Sequence, residues 1–534
     1  MRKTENGVPG HVTRRTILTG AASLAMLGAA GFSVPARGQV PGEGGRGPFD
    51  FEILSARMER LAAEPYRAPA PVLEGPFAGL DYDRYRLIQF RNAQARWAGA
   101  PHGFSVQAFH PGWLYATPVE VFAVEGGEAD PLDFSSADFD YWDPDLAAAA
   151  AGAEFPGVAG LRLHYPLDPE AGVSELASFL GASYFRALGR GDIYGASARG
   201  LAVDTWTDRA EEFPRFTAFY LDPPEPGAPL VMHAALEGES ITGAYRFTIT
   251  PPSDDRAETV MEVTARLYFR KDIGELGIAP LTSMYLFGQT NRDDFDDYRP
   301  RVHDSEGLLV ERDTGEVIWR PLSNTGTLGN SYLAEAGLRA FGLYQRARDF
   351  EDYQDAEARY ERRPSIRIEP IGEWGPGTVR LVEIPARIEA DDNIVAYWIP
   401  REPARAGQSM AFSYRLTWGG MDGTGRSGRV AETRAGRGGV SGVEDDTRLR
   451  KFVVDFAGGL LDEIAPETQI DLFNSAGGGR IESATLSYLA GEGIWRAVFD
   501  VEPRGFDPVE LKAYLVGAGK VLTETWIYQW RPER

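Results

Sequence analysis

The sequence predicts a mainly β protein, with a large N-terminal antiparallel β-sandwich followed by a smaller immunoglobulin-like β-sandwich. Three observations lead to this fold class. The chain has 534 residues, which is too long for one ordinary hydrophobic core. Hydrophobic residues make up 43% and aromatic residues 11%, which is enough apolar material for packed domains. Glycine (61 residues) and proline (36 residues) are frequent and long helical patterns are scarce, which favours strands and turns.

Residues 1–36 have the pattern of a twin-arginine export signal. Arg14 and Arg15 precede an apolar run of small residues from 17 to 34, and a small-residue cleavage site follows at 34–36. A membrane anchor is the alternative, but glycines break the run and leave it short for a bilayer. We therefore expect export in the folded state, no stable membrane anchor, and a soluble periplasmic protein that starts near residue 37.

The large domain is predicted to span residues 37–402. Asp50 is a good N-cap for a helix, because Phe51, Leu54, Met58 and Leu61 follow at helical spacing. Strand-like runs separated by turn residues are predicted at 85–90, 117–124, 161–165, 215–221, 230–236, 244–249 and 259–269. Two further segments are predicted outside the strands, a short helix or loop at 145–153 and a charged surface helix at 349–362.

The smaller domain is predicted to span residues 403–534, after a linker at 401–407. Strand-like runs are predicted at 409–418, 448–456, 468–473, 481–489, 494–501, 511–516 and 523–530. About seven strands over about 130 residues are typical of an immunoglobulin-like sandwich. Between the first two runs, residues 419–442 are rich in glycine and arginine and are predicted to form a mobile loop.

Composition excludes several classes of function. The formal net charge of −23 argues against nucleic acid and anionic lipid as partners, and it is compatible with a neutral ligand such as a sugar. The absence of cysteine excludes disulfides and thiolate chemistry. None of the six histidines has a partner at metal-ligand spacing, and neither a P-loop nor a G-x-S-x-G motif is present. We expect no metal and no cofactor.

An acidic turn lies in the stretch 381–400, LVEIPARIEADDNIVAYWIP. Two β-like runs flank Glu389, Asp391 and Asp392, which is a good arrangement for holding a carboxylate at the rim of a cleft. Asp and Asn also favour ordinary solvated hairpin turns, so the residues alone leave both interpretations open. A second acidic and aromatic cluster covers 293–307 and is open to the same two interpretations.

Paired carboxylates with aromatic neighbours are the requirement of glycoside hydrolysis. One carboxyl group donates a proton, the other acts as base or nucleophile, and aromatic faces bind the sugar rings. The aromatic residues that offer such faces are Trp319, Tyr344, Tyr360, Trp374 and Trp398. Taken singly, each of them is better explained as a core or ordinary surface residue, so these residues alone predict a secreted β-sandwich protein that is compatible with a carbohydrate ligand.

Long stretches of the mature chain resemble the OpgG/OpgD (MdoG/MdoD) family of periplasmic glucan biosynthesis proteins. The stretches include FHPGWLY at 109–115, FLGASYFRA at 179–187, YGASARGLAVDT at 194–205, YRPRVHDSEGLL at 298–309 and TETWIYQWRP at 523–532. The resemblance implies the two-sandwich architecture and work on osmoregulated glucans with a β-1,2-linked backbone. The twin-arginine pattern is more similar to the D type than to the G type.

The same resemblance implies roles for particular residues. The motifs DDNIVAYW and VHDSEGL place the proton donor at Asp392 and the base at Asp304, and Glu389 is the competing or supporting carboxylate. In the hydrolases of the family, the base is thought to reach its water indirectly, through substrate hydroxyls. The residues expected to bind the glucan are Tyr298, Arg299, Trp319, Arg346, Tyr360, Arg362 and Trp398.

Two functions follow as expectations. The first is a β-1,2-glucanase or transglycosylase that acts on the glucan backbone. The second is a non-catalytic glucan-binding protein that assists a membrane glucan synthase or the branching of the backbone.

Overall fold

The structure is a computed structural model that describes residues 46–69, 73–168, 172–423, 425–439, 449–464 and 468–532. The export signal predicted at 1–36 lies outside the described residues and stays a prediction. Within the described residues, no helix is long and apolar enough to cross a membrane.

The described part of the chain contains three α-helices and 34 strands. The helices are α1 (Phe51–Ala62), α2 (Tyr82–Tyr85) and α3 (Pro144–Ala150). The strands of the first half are β1 (Gly47–Pro48), β2 (Ile88–Phe90), β3 (Ser105–Phe109), β4 (Glu120–Glu125), β5 (Glu128–Pro131), β6 (Phe139–Tyr141), β7 (Gly160–Asp168), β8 (Gly172–Leu180), β9 (Tyr184–Ala187), β10 (Ser197–Arg199), β11 (Leu201–Val203), β12 (Arg215–Asp222), β13 (Leu230–Glu237), β14 (Ile241–Thr250), β15 (Thr259–Phe269), β16 (Leu276–Ser283) and β17 (Tyr285–Phe287).

The strands of the second half are β18 (Val302–His303), β19 (Gly307–Arg312), β20 (Val317–Pro321), β21 (Gly329–Glu335), β22 (Leu338–Tyr344), β23 (Ser365–Ile371), β24 (Gly377–Glu383), β25 (Ile394–Pro400), β26 (Ser409–Gly419), β27 (Arg429–Arg437), β28 (Arg450–Ala457), β29 (Ile470–Gly477), β30 (Gly479–Leu489), β31 (Ile494–Pro503), β32 (Val509–Gly517), β33 (Lys520–Val521) and β34 (Thr525–Trp530).

Two large sheets enclose the first hydrophobic core. One sheet has the order β1-β5-β4-β12-β13-β14-β15-β26-β23-β22-β19-β20-β34-β32-β29, with β33 beside β32. The other has the order β21-β24-β25-β16-β10-β9-β8-β7-β3, with β11 beside β16. Strand β15 shows why the chain folds this way, because its residues alternate between buried and partly exposed along Thr259–Phe269. The mainly β, sandwich-like fold class is confirmed.

The second core lies between a four-stranded sheet and the far end of the largest sheet. The small sheet has the order β27-β28-β31-β30, and β34, β32 and β29 face it. Phe452, Phe499 and Trp526 are among the buried residues of this core. The two sandwiches are continuous, because β20 of the first pairs in parallel with β34 of the second.

Two predictions for the C-terminal part were wrong. The strand predicted at 409–418 was assigned to the smaller domain, but β26 pairs with β15 and β23 in the largest sheet. Its Phe412, Tyr414 and Trp418 therefore pack in the first core. The mobile loop predicted at 419–442 contains β27, which forms one edge of the small sheet and buries Val430 in the second core.

The segment 349–362 is not the predicted surface helix. It contains two short 3-10 turns, Phe350–Asp352 and Tyr360–Arg362. The rings of Tyr353 and Tyr360 are buried, in a small cluster with Met284 and Phe287. The predicted helix at Asp50 is confirmed as α1, with the Asp50 carboxylate accepting from the backbone N–H of Ile53.

The acidic stretch forms a hairpin in the ten-stranded sheet. Strands β24 and β25 are antiparallel, with Gly377 opposite Pro400 and Glu383 opposite Ile394. Both faces of β25 are buried over most of its length. The loop 384–393 between these strands therefore projects from the end of a rigid pair.

Candidate functional site

Asn393 fixes the end of the loop 384–393. Its side-chain oxygen accepts a hydrogen bond from the backbone N–H of Tyr285 at 2.8 Å. Its amide nitrogen donates to the backbone carbonyls of Tyr285 and Ile384, at 2.9 and 3.0 Å. Asp392 is the preceding residue, so its position is tied to β17 as well as to its own hairpin.

Asp392 is a buried carboxyl group among arginines. The nearest guanidinium recorded for it is that of Arg186, with 3.8 Å between Nη2 and the carboxylate Oδ2. Burial raises the pKa of Asp392 to about 7. The charge of Asp304 adds to the increase, whereas Arg186, Arg199 and Arg363 oppose it. Near neutral pH a large share of Asp392 is therefore protonated.

Asp304 is a wholly buried carboxylate held by an ion pair. Arg363 lies with its Nη1 2.9 Å from the Asp304 Oδ1, and both side chains are enclosed by protein. The backbone N–H of Asp304 donates to the carbonyl of Met284 at 2.8 Å, which holds the residue beside β17. A neighbouring positive charge favours the ionised form of a carboxyl group. The ion pair therefore places a guanidinium against Asp304, the carboxyl group whose charge also acts on Asp392.

Gly195 makes room for the arginine of this pair. A Cβ atom at position 195 would lie 2.8 Å from the Cδ of Arg363 and 2.9 Å from its Cβ. Any larger residue would displace the guanidinium from Asp304. The stretch YGASARGL thus contributes to the site through the absence of a side chain as well as through Arg199.

Glu389 is bound within an ion-pair cluster. Its Oε1 lies 2.5 Å from the Nη2 of Arg299, and its Oε2 accepts from the hydroxyl of Tyr360 at 2.7 Å. Arg299 also pairs with Asp297 and Asp355, at 2.6 and 2.7 Å. Both oxygens of Glu389 are thus engaged by buried partners, so the geometry fits a supporting role, in which Glu389 holds the loop that carries Asp392.

The arginines and tyrosines around Asp392 were missed in the sequence. Arg186 lies on β9 and Arg199 on β10, and both are buried. The guanidinium of Arg199 lies 4.6 Å from the ring centre of Tyr184. Burial raises the pKa of Tyr115 to about 12, and the opposing charges of Arg186 and Asp392 both act on it. The signal available in the sequence was an arginine inside an otherwise apolar strand pattern.

Comparison with known proteins gives the family. A protein-family model described as "Periplasmic glucan biosynthesis protein, MdoG" matches residues 49–530. The chain belongs to this family. It is 48% identical over 533 residues to glucans biosynthesis protein G of Cereibacter sphaeroides, covering 97% of this chain and 98% of that protein.

D-type members match as well. Glucans biosynthesis protein D 1 of Ralstonia nicotianae is 43% identical over 501 residues, covering 91% of this chain and 92% of that protein. Probable glucans biosynthesis protein D of Shewanella oneidensis is 40% identical over 492 residues, covering 91% and 89%. Since the highest identity of these three belongs to a G-named protein, the D type inferred from the signal stays a prediction.

The predicted glucan-binding residues fall into two groups, and the first lies near the acidic loop. Arg299 and Tyr360 bind Glu389, as described above. Tyr298 is 72% exposed at the rim beside Arg299. Arg362 is exposed and donates to the carbonyl of Gly191 at 2.9 Å. Tyr298 and Arg362 are therefore the members of this set that solvent, and hence a sugar, can reach.

The second group is internal, which corrects the prediction that its rings bind sugar. Trp398 packs in the first core and Trp319 in the second, with at most 2% of either side chain exposed. The guanidinium of Arg346 lies 3.7 Å from the ring centre of Trp319 and pairs with Glu524 at 2.6 Å. Trp319 and Trp398 are therefore packed inside the cores and Arg346 is held by Glu524, so none of the three offers an exposed surface to a sugar.

Proposed function

We propose that this family member cleaves or remodels β-1,2-glucan in the periplasm, as a glycoside hydrolase or a transglycosylase. One observation supports the proposal above the others. Asp392 is a buried acid whose pKa is raised to about 7, and it lies near Asp304, a carboxylate neutralised by Arg363. Two carboxyl groups whose environments favour opposite protonation states are what acid and base roles require.

The arrangement supports a division of labour between the two carboxyl groups. The neutral Asp392 donates its proton to the glycosidic oxygen as the bond to the sugar carbon breaks. A water molecule or a sugar hydroxyl attacks that carbon and loses its proton toward Asp304. Asp304 is wholly buried, and the family resemblance implies that this proton reaches it through hydroxyl groups of the bound glucan. Asp304 then releases its proton to solvent by the same route and Asp392 takes one up, which restores both carboxyl groups for the next cycle.

The test is incubation of the purified protein with linear β-1,2-glucan, followed by analysis of chain length. Shorter products are expected from hydrolysis, and longer or cyclic products from transfer. Asp392→Asn keeps the shape of the side chain and removes its proton, so products should disappear while the fold is retained. Glucan that stays unchanged with the wild-type protein over a range of conditions would exclude the enzymatic proposal.

A second candidate is a glucan-binding protein without turnover that assists a membrane glucan synthase or backbone branching. The burial of Asp304 and its ion pair with Arg363 favour this alternative, because water does not touch the carboxylate. Binding of linear β-1,2-glucan without any change in chain length, and with equal affinity in Asp392→Asn, would support it.

A further inference from the structure

The outer face of the ten-stranded sheet carries two exposed aromatic side chains. Tyr332 lies on the edge strand β21, opposite Arg380 of β24, and Arg380 lies opposite Tyr397 of β25. The ring of Tyr332 is 56% exposed, and its centre is 5.3 Å from the Arg380 guanidinium. Trp206, just after β11, is 45% exposed and its carbonyl accepts from the same guanidinium at 3.0 Å.

The backbone that presents Trp206 is strained. Asp204 and Trp206 both adopt left-handed conformations, with φ of 53° and 48°. Such conformations are unusual for a bulky side chain and persist only where surrounding contacts hold them. Here the buried Arg380 donates to the carbonyl of Thr205 at 2.8 Å as well as to that of Trp206. The loop is thus fixed with an indole partly in solvent.

Beside these rings, the charge of Arg380 is neutralised by an ion pair, and the side chain of Asn330 provides a hydrogen-bond donor. Arg380 is ion-paired with Glu275 and donates to the Oδ1 of Asn330 at 2.7 Å. Among the described residues, the Nδ2 of Asn330 has no recorded hydrogen bond. Aromatic faces next to a neutral amide suit the apolar faces and hydroxyl groups of an uncharged sugar.

We infer that Trp206, Tyr332 and Asn330 form a second binding site for a linear glucan chain, distinct from the site around Asp392. The identity of the sugar rests on the proposed function. Tyr397, which lies opposite Arg380 in this patch, is five residues along the chain from Asp392, at most about 17 Å at about 3.3 Å per residue. Its side chain belongs to the cluster with Val382 and Val395 on the outer face, whereas Trp398 faces the first core. The site holds the glucan outside the catalytic centre.

The test measures binding of linear β-1,2-glucan in the Asp392→Asn background, where turnover does not interfere. Trp206→Gly removes the indole and relieves the strained backbone, because glycine adopts positive φ freely. Tyr332→Ala is a second variant that leaves this loop intact. The matched control is Trp142→Ala, since Trp142 is 62% exposed elsewhere on the surface, after β6. We expect each site variant to weaken binding about fivefold and the control to leave it unchanged.

The outcomes separate this inference from the proposed function. Glucan cleavage by the wild type together with unchanged binding in Trp206→Gly and Tyr332→Ala would overturn the second site alone. Weakened binding in both variants without any cleavage by the wild type would support the second site and exclude the enzyme. Unchanged glucan binding in both variants, with the patch instead required for a protein partner, also overturns the inference.

Discussion

Asp392 combines a feature that suits catalysis with a cost in stability. Burial raises its pKa to about 7, from an ordinary value of 3.8. Below pH 3.8 the carboxyl group is neutral in both the folded and the unfolded chain, so Asp392 does not lower the free energy of unfolding. As the pH rises toward 7 the unfolded chain ionises first, and stability is lost. The shift corresponds to about 4 kcal/mol of lost stability above pH 7.

Asp392→Asn is therefore expected to stabilise the protein at pH 8 and to change its stability little at pH 4. The amide removes the buried ionisable group while retaining its size. Urea unfolding at the two pH values measures the difference in free energy of unfolding. Asp391→Asn is the matched control, because it removes the neighbouring carboxyl group. Burial raises the pKa of Asp391 as well, but Asp391 is less buried than Asp392. Equal effects of Asp392→Asn at both pH values would contradict the raised pKa.

Arg363 is expected to set the protonation of Asp304. Without its guanidinium, 2.9 Å away, Asp304 takes up a proton at higher pH and loses its role as base. Arg363→Met should therefore move the acidic limb of the pH–rate profile to higher pH, whereas Arg363→Lys keeps a positive charge and should move it less.

The pH–rate profile of glucan cleavage measures this effect, with circular dichroism to verify folding. Breaking a buried ion pair costs about 3–5 kcal/mol, so stability will fall in Arg363→Met. An acidic limb that stays in place in a folded Arg363→Met protein would show that Arg363 does not control the base.

At the level of elements, the loop 384–393 depends on contacts at its middle and at its end. Asn393 joins its end to β17, and Glu389 joins its middle to Arg299 and Tyr360. Both sets of contacts are made to segments distant in sequence. The position of the loop is therefore set by these long-range contacts as well as by the two strands that flank it.

Glu389→Gln should lower kcat about tenfold or more and leave glucan affinity nearly unchanged. The amide loses the charge that attracts Arg299, so the loop shifts and the acid is misplaced. Steady-state kinetics on linear β-1,2-glucan measures both constants. Asp293→Asn, an exposed carboxylate in a neighbouring loop, is the control. Complete loss of activity, as expected for Asp392→Asn, would instead identify Glu389 as the proton donor.

At the scale of the whole molecule, local pattern predicted fewer than half of the 34 strands, although it predicted most of those in the smaller sandwich. Alternation along 259–269 and the turn residues at 384–393 are signals that neighbouring residues carry by themselves. The partner of a strand is not such a signal. Strand β26 follows a linker, and its place between β15 and β23 depends on pairing with residues far away in the chain.

Burial was the other property that local pattern did not give. Trp398 and Trp319 are of the residue type that stacks on sugar rings, yet both side chains are buried between the sheets. Conversely, Arg186 and Arg363 gave no motif of their own, and only the fold brings them to Asp392 and Asp304. The two acidic residues were predicted through a family resemblance, whereas the charges that tune them required the structure.

The central claim is that Asp392 is a neutral acid near pH 7 and donates the proton that breaks the glucan. The rate of β-1,2-glucan cleavage measured from about pH 5 to 9 tests it most directly. We predict a rate that falls as the pH rises through about 7 in the wild type. Asp392→Asn should be inactive throughout, and Asp391→Asn should keep the wild-type profile. Cleavage by Asp392→Asn at a rate near that of the wild type would contradict the claim.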